Sequence, residues 1–181
     1  MPKIRVRVLP VGEVDQEVLQ PICDSLSRLL PGVVETTILD RMEIPAEAFS
    51  SRRRQYSSTL ILKRMSGSHE KAQGGRLLGV AEVDLFVPWL NFVFGEAECP
   101  GRAGLISLFR LRPEFYGFPA DKRLLIDRAT KEAVHEFGHT LGLTHCKNSS
   151  CVMFFSNNIA DTDHKDREFC ASCRLKLGRF E

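Results

Sequence analysis

Charged and aliphatic residues alternate over residues 2–9, with Ile4, Val6 and Val8 set against Arg5 and Arg7, which is the period of a strand with one face buried. Beyond Glu13 the spacing changes. Val14, Val18, Leu19, Ile22, Leu26, Leu29 and Leu30 recur at three- and four-residue intervals, predicting a helix that Pro31-Gly32 ends. Pro21 lies inside this run, so the expectation is a helix that starts there or kinks. Residues 33–39 read as a second strand, 40–54 as a connection, and about 57–64 as a short helix. Three strand-like runs follow, at 76–87, 91–94 and 104–111, separated by Pro88-Trp89 and by the turn-rich residues 95–102. Residues 121–141 form a long helical pattern with Asp121 as N-cap; Leu124, Leu125, Ala129, Ala133, Val134, Phe137 and Leu141 make a broad apolar face. After Gly142 the chain reads as irregular to about Lys165, and a short helix over about 170–177 closes it. This order predicts a mixed α/β (α+β) domain.

Composition leaves that picture intact. A chain of 181 residues, 43% hydrophobic and 27% charged, fits one globular domain and is short for two. A net charge of +2 is too small to argue for nucleic acid or an anionic membrane as partner. The one basic cluster, Arg52-Arg53-Arg54 with Lys63 and Arg64, reads as a solvated face. No run approaches the roughly 18 apolar residues of a membrane span, and the first residues lack the apolar core of a signal peptide. The expectation is a cytoplasmic protein with reduced thiols. That gives weight to six cysteines, four of them in the last 36 residues, as a metal site rather than disulfides.

Residues 135–145 read His-Glu-Phe-Gly-His-Thr-Leu-Gly-Leu-Thr-His. Four residues along a helix advance about 400° and about 6 Å, so His135 and His139 share a face and can grip one metal. Glu136 sits one position round, at the edge of that face, where it can reach water without ligating the metal. Gly142 can take the left-handed conformation that ends a helix, and His145 then returns to the same ion. Three neutral imidazoles leave a zinc its full charge and an open position, which lowers the pKa of bound water from about 15.7 to about 7. Glu136 is then the candidate general base for attack on a carbonyl. A polar helix that merely carries two histidines would not explain why three of the chain's five histidines fall within eleven residues at this spacing.

Cys146 and Cys151 form one pair, and Cys170 and Cys173 a Cys-x-x-Cys knuckle; four thiolates in two pairs are what a closed structural zinc needs, with redox or disulfide cysteines as the alternative. Cys23 and Cys99 have no spaced partner and read as ordinary residues. Neighbouring side chains of an extended segment point to opposite sides. His145 can therefore serve one zinc while Cys146 serves a second behind it, and the second zinc would clamp the segment that carries His145.

The extended histidine motif resembles the metzincin clan of zinc peptidases. With Cys-x-x-x-x-Cys-x-Met and the later Cys-x-x-Cys, it looks like the archaemetzincins, a small intracellular branch. The resemblance is specific over residues 135–173 and implies a single compact metzincin-like domain of residues 1–181. Its mixed twisted sheet and active-site helix would occupy about 1–142, and a zinc-stapled C-terminal subdomain about 143–181. It further implies a catalytic zinc on His135, His139 and His145 with Glu136 as base, Met153 as the methionine of the turn beneath it, and a second zinc on Cys146, Cys151, Cys170 and Cys173. Met65 and Met42 precede the helix and are in the wrong order for that turn. Substrate would be a peptide or protein lying along an edge strand, for which residues 89–97 are the candidate, with an ordinary sheet strand as the alternative. Glu96 within it could meet a substrate amine, as an aminopeptidase requires. Asp161, Asp163, His164 and Asp166 could orient a ligand histidine or form a solvated loop. The other function classes open to the sequence are a catalytically latent enzyme and a non-catalytic zinc module acting in protein binding.

Overall fold

The structure, a computed structural model, describes residues 3–30, 32–68 and 75–177; the stop signal expected at Pro31 lies outside them. The chain runs β1 (Ile4–Val11), α1 (Gln16–Leu29), β2 (Val34–Ile38), β3 (Phe49–Ser50), β4 (Gln55–Ser57), α2 (Ser58–Ser68), β5 (Gly75–Ala81), β6 (Leu85–Phe86), β7 (Gly95–Ala97), β8 (Ala103–Ser107), α3 (Lys122–Thr140), α4 (Ile159–His164) and α5 (Ala171–Leu177). Five strands form the main sheet in the order β2-β1-β5-β8-β7, all parallel except β7, which runs antiparallel at one edge. A parallel sheet must be covered on both faces. On one side α1 and α3 pack Ile22, Leu26, Ala133 and Phe137 against Val6, Val8, Val80 and Ile106; on the other, α2 packs Ile61, Leu62 and Met65 against Leu9, Leu77 and Leu105.

This is the mixed α/β class read from the sequence, with local differences that have physical causes. The first helix starts at Gln16, where the Asp15 carboxylate caps the Glu17 amide at 3.1 Å, and Pro21 lies within it without ending it. Burial of Val18, Leu19, Ile22, Cys23 and Leu26 outweighs the single backbone bond that a proline removes. β1 continues past residue 9 through Pro10, because the register with β2 ends at Val8 opposite Ile38 and no β2 carbonyl remains to be served. The run 76–87 divides, its end joining β3 and β4 in a small second sheet ordered β3-β4-β6, so the expected connection 40–54 contains one strand, β3, and is followed directly by another. The expected strand at 91–94 is irregular, and pairing occurs instead at β7, in residues read as a turn. Pairing with β8 places Gly95, Glu96 and Ala97 opposite Ile106, Leu105 and Gly104, although none of the three favours strands intrinsically.

The long helix is as expected: the Asp121 carboxylate accepts from the Leu124 amide at 3.0 Å. Residues 143–177 pack along α3 through ion pairs. Arg128 grips the Asp163 carboxylate with two bonds of 2.7 and 2.8 Å, and Asp127 meets both Lys131 and Arg167. They include α4, capped by Asn158, in a stretch read as irregular. No described helix is long and apolar enough to cross a membrane.

Candidate active site

The end of α3 builds the histidine cluster. Gly142 takes φ 88°, and the Gly142 and Leu143 amides bond back to the His139 and Gly138 carbonyls at 2.8 and 3.0 Å, a Schellman ending. The reversal carries His145 back beside the helix, with ring centroids 4.9 Å from His139 and 5.4 Å from His135. The same turn exposes the Leu143 carbonyl, which accepts from His139 Nδ1 at 2.7 Å; the Val152 carbonyl accepts from His135 Nδ1, also at 2.7 Å. A carbonyl can only accept, so each Nδ1 carries the proton and each Nε2 is free as a ligand. Those two Nε2 atoms lie 3.1 Å apart, and one nitrogen from each of the three rings falls in a group no wider than 4.8 Å. A tetrahedron of ~2.1 Å zinc–nitrogen bonds has edges of about 3.4 Å, so the cluster fits the ion.

Glu136 is 4% exposed and lies against the edge of the sheet. A β-carbon on Gly95 would stand 2.5 Å from Glu136 Oε1 and 2.7 Å from the Leu105 carbonyl, and one on Gly104 would stand 3.2 Å from Glu136 Cβ. The small residues of β7 and β8 therefore exist to let α3 approach, which is why β7 forms where strand propensity is low. Met153 is fully buried against α3; a β-carbon on Gly138 would meet its sulfur at 2.4 Å. The Met153 carbonyl takes the Cys146 amide at 2.9 Å.

The four clustered cysteines come together behind this segment. Cys146 and Cys170 have sulfurs 3.8 Å apart, as do Cys151 and Cys173. A tetrahedron of ~2.3 Å zinc–sulfur bonds has edges of about 3.8 Å, so these donors fit zinc as well. All are free thiols, and the Cys170 amide donates to Cys151 Sγ at 3.3 Å. The Cys173 amide draws the Cys170 thiol down to about 7, while burial pushes those of Cys151 and Cys173 up. Thiolates this close cannot all ionise without a cation among them. Cys23 is buried within α1 and Cys99 stands apart at the cleft.

A cavity of about 520 Å³ opens over the histidines, walled by residues 89–97 on one side and by residues 155–157 on the other. Burial lowers all three imidazoles below the usual range, most strongly His135, with the Lys165 ammonium adding to the effect. Neutral rings are what coordination requires. Burial raises the Glu136 carboxyl well above its usual range, the Glu132 charge adds to this and Lys165 opposes it; a bound dication acts in the same direction as Lys165.

Three expectations change. Glu96 projects to the opposite face of the sheet from Gly95, where the hydroxyls of Ser58 and Thr59 donate to its carboxylate at 2.5 and 2.9 Å, so its held position points away from the histidines. The acidic cluster does not orient the histidines: Asp163 pairs with Arg128, Asp161 accepts from the Asn157 amide, and main-chain carbonyls do the orienting. Arg53 is not merely solvated; it donates to the Leu90 carbonyl at 2.6 Å and lies 4.2 Å from the Phe86 ring centre, bracing the cavity wall. Glu132 and Lys165, a buried ion pair at 2.9 Å beside the site, escaped the sequence reading. The placing of Glu132 four residues before Glu136 was its only signal.

A cleft flanked by an edge strand, over three neutral imidazoles and a buried carboxylate, defines the class: a zinc metallopeptidase. Comparison with known proteins makes the class specific. The sequence matches Peptidase family M54 over residues 11–179. The archaemetzincin of Methanocaldococcus jannaschii is 48% identical over 174 residues, spanning 96% of this chain and 93% of that one. Crystal structures of the archaemetzincins of Methanopyrus kandleri and, complexed with malonate, of Archaeoglobus fulgidus superpose with TM-scores of 0.87 and 0.82 at 34% and 36% identity. They cover 98% and 96% of this chain, and 95% and 99% of theirs. The chain belongs to peptidase family M54, the archaemetzincins.

Proposed function

We propose that the protein hydrolyses peptide bonds with Glu136 as general base, at a zinc held by His135, His139 and His145. A second zinc, on Cys146, Cys151, Cys170 and Cys173, clamps the segment behind it. The observation that carries this reading is the pair of bonds from His135 and His139 Nδ1 to main-chain carbonyls, which turn both Nε2 atoms to one point beside Glu136. When bound there, zinc supplies the Lewis acidity that activates water and polarises the scissile carbonyl. Glu136 takes the proton at its carboxylate and delivers it to the leaving amine. The wall at residues 89–97 holds an extended substrate by main-chain pairing along β7, an edge strand, which tolerates varied sequences. The packing of Met153 on Gly138, between two of the histidines along α3, supports the metzincin arrangement, and the need for four reduced thiols supports a cytoplasmic setting.

The test pairs composition with activity. Elemental analysis is expected to give two zinc ions per chain. A mixed peptide library is expected to be cleaved by native protein, and Glu136→Gln to lower the rate by about 10²–10⁴ with zinc content unchanged. Equal cleavage by both proteins would exclude Glu136 as the base. Two bound zincs with no cleavage by either would mark a latent or non-catalytic zinc module.

A further inference from the structure

The cleft wall at residues 89–97 is irregular at its start, yet its main chain there is held in place. Arg53 donates to the Leu90 and Asn91 carbonyls at 2.6 and 3.1 Å, and Gln55 donates to the Asn91 carbonyl at 2.9 Å. That end of the wall is apolar: Trp89, Leu90 and Phe92 line the cavity, and Trp89 is 76% exposed. The apolar surface does not stop there. The Arg110 guanidinium lies 4.4 Å from the Phe92 ring centre and 4.8 Å from that of Phe115, and Phe115 meets Phe109 edge to face at 5.5 Å. Phe115 and Phe109, on the loop between β8 and α3, lie outside the cavity and are exposed. These three steps carry the row no more than about 15 Å from Phe92, which an extended peptide covers in about four or five residues. Asp84 grips Arg110 with two bonds of 2.6 and 2.7 Å, so the guanidinium is fixed and its charge matched, leaving its flat face to the two rings. Single exposed phenylalanines are ordinary on a protein surface. A row that starts in the cleft wall and leads out of it continues a binding surface.

We propose that this row extends the substrate cleft and takes a bulky apolar side chain, aromatic above all, from the part of the peptide that leaves the cleft past Phe92. Strand direction decides which part that is. A peptide paired antiparallel to β7, the more stable kind of pairing, runs from Ala97 toward Gly95 and leaves past residue 92, so its C-terminal part meets the row. There an aromatic side chain packs on Phe115 and Phe109 as those two pack on each other. An acidic side chain gains nothing, because the cation in the row is already held by Asp84. Main-chain pairing along β7 is indifferent to sequence, and the row supplies a preference from outside the cavity. The inference rests on the peptidase reading and deepens it by naming the substrate class: peptides with an apolar residue beyond those that the cavity holds, on the C-terminal side of the cleaved bond.

The probes are succinyl hydroxamates, which anchor on the zinc and continue as a peptide toward its C-terminus. One carries a tail of eight serines. The others replace a single serine, at positions three to eight in turn, by phenylalanine or by glutamate. Each is titrated calorimetrically into the zinc-loaded protein. Phenylalanine at one or two of these positions is expected to tighten binding about 5–10-fold, and glutamate at the same positions to give no gain. Phe115→Ser, at an exposed position, is expected to remove the gain, and Phe109→Ser, a second and independent variant, to reduce it. Leu175→Ser, on α5 and also exposed, is expected to keep it. A phenylalanine gain at no position would overturn the proposal, as would an equal gain from glutamate. So would a gain that survives in both phenylalanine variants or is lost equally in Leu175→Ser. In each of those cases the all-serine compound still binds, and the peptidase reading stands. Binding does not depend on turnover, so a phenylalanine gain in a protein that cleaves nothing would overturn the peptidase reading and leave the row standing. No binding by any compound would overturn the row and the histidine zinc site together.

Discussion

Single residues in this site are chosen as much by what they leave out as by what they carry. Gly95 is the clearest case: its missing side chain is the space in which Glu136 lies. In Gly95→Ala the Glu136 carboxylate can swing aside but the Leu105 carbonyl cannot, so the active helix and the edge strand must separate. A misplacement of about 1 Å can cost about 100-fold in rate. Gly95→Ala is expected to lose about 10–100-fold in peptide cleavage while keeping a native circular dichroism spectrum and both zinc ions; full activity would show that Glu136 has slack. The buried pair offers a second prediction. Lys165→Met leaves the Glu132 charge enclosed and unpaired and is expected to cost about 3–5 kcal/mol, read by denaturant unfolding. Adding Glu132→Leu should recover most of that loss. At this scale the sequence was legible wherever chemistry is written in the side chain and its spacing. His135, His139 and His145 come together in one cluster and the four cysteines in another, and Glu136 lines the same cavity as the histidines. It was illegible where the determinant is a contact across the fold, as for Gly95, Glu132 and Lys165.

Elements are set by their ends. The Schellman turn at Gly142 stops α3, orients His139 through the Leu143 carbonyl and returns His145 to the cluster. Gly142→Ala must hold φ 88° with a side chain, at a cost of about 1–3 kcal/mol. Its zinc affinity at the histidine site is expected to fall, measured by competition with a chromophoric chelator, with the four-cysteine site unaffected. Further along α3, burial would raise the Asp127 carboxyl, but Lys131 and Arg167 more than offset this and hold it below its usual 3.8. A depressed native pKa means that the contribution is complete above the unfolded value and is lost as pH falls through the native one. Native protein is therefore expected to lose stability more steeply below about pH 4 than Asp127→Asn, in thermal melts over that range. The helices were readable because capping and period are local properties, as at Asp121 and along α1. The strands were not, since β7 is a strand only by virtue of its partner β8, and β6 only by leaving the main sheet for β4.

Over the whole molecule, the two donor clusters share one segment. Val152, whose carbonyl orients His135, lies between Cys151 and Met153, and His145 is followed directly by Cys146. Cys151→Ser is expected to lower zinc occupancy at both sites and to loosen residues 143–177, seen as faster amide exchange there. Catalytic occupancy equal to native would show the clamp to be idle. The single-domain α/β class was legible from the order of elements. The way residues 143–177 lock onto α3 was not, because it depends on pairs such as Arg128–Asp163 that join residues far apart in the chain.

The shared segment also has a consequence in time. A ribosome delivers the three histidines before it delivers Cys170 and Cys173, which lie 25 and 28 positions beyond His145. Until those last thiols emerge, the Val152 carbonyl has no clamp to hold it against His135. On the proposed ligand assignment, a nascent chain carries its whole catalytic motif yet cannot cut, and it becomes a peptidase only once Cys170 and Cys173 have been added.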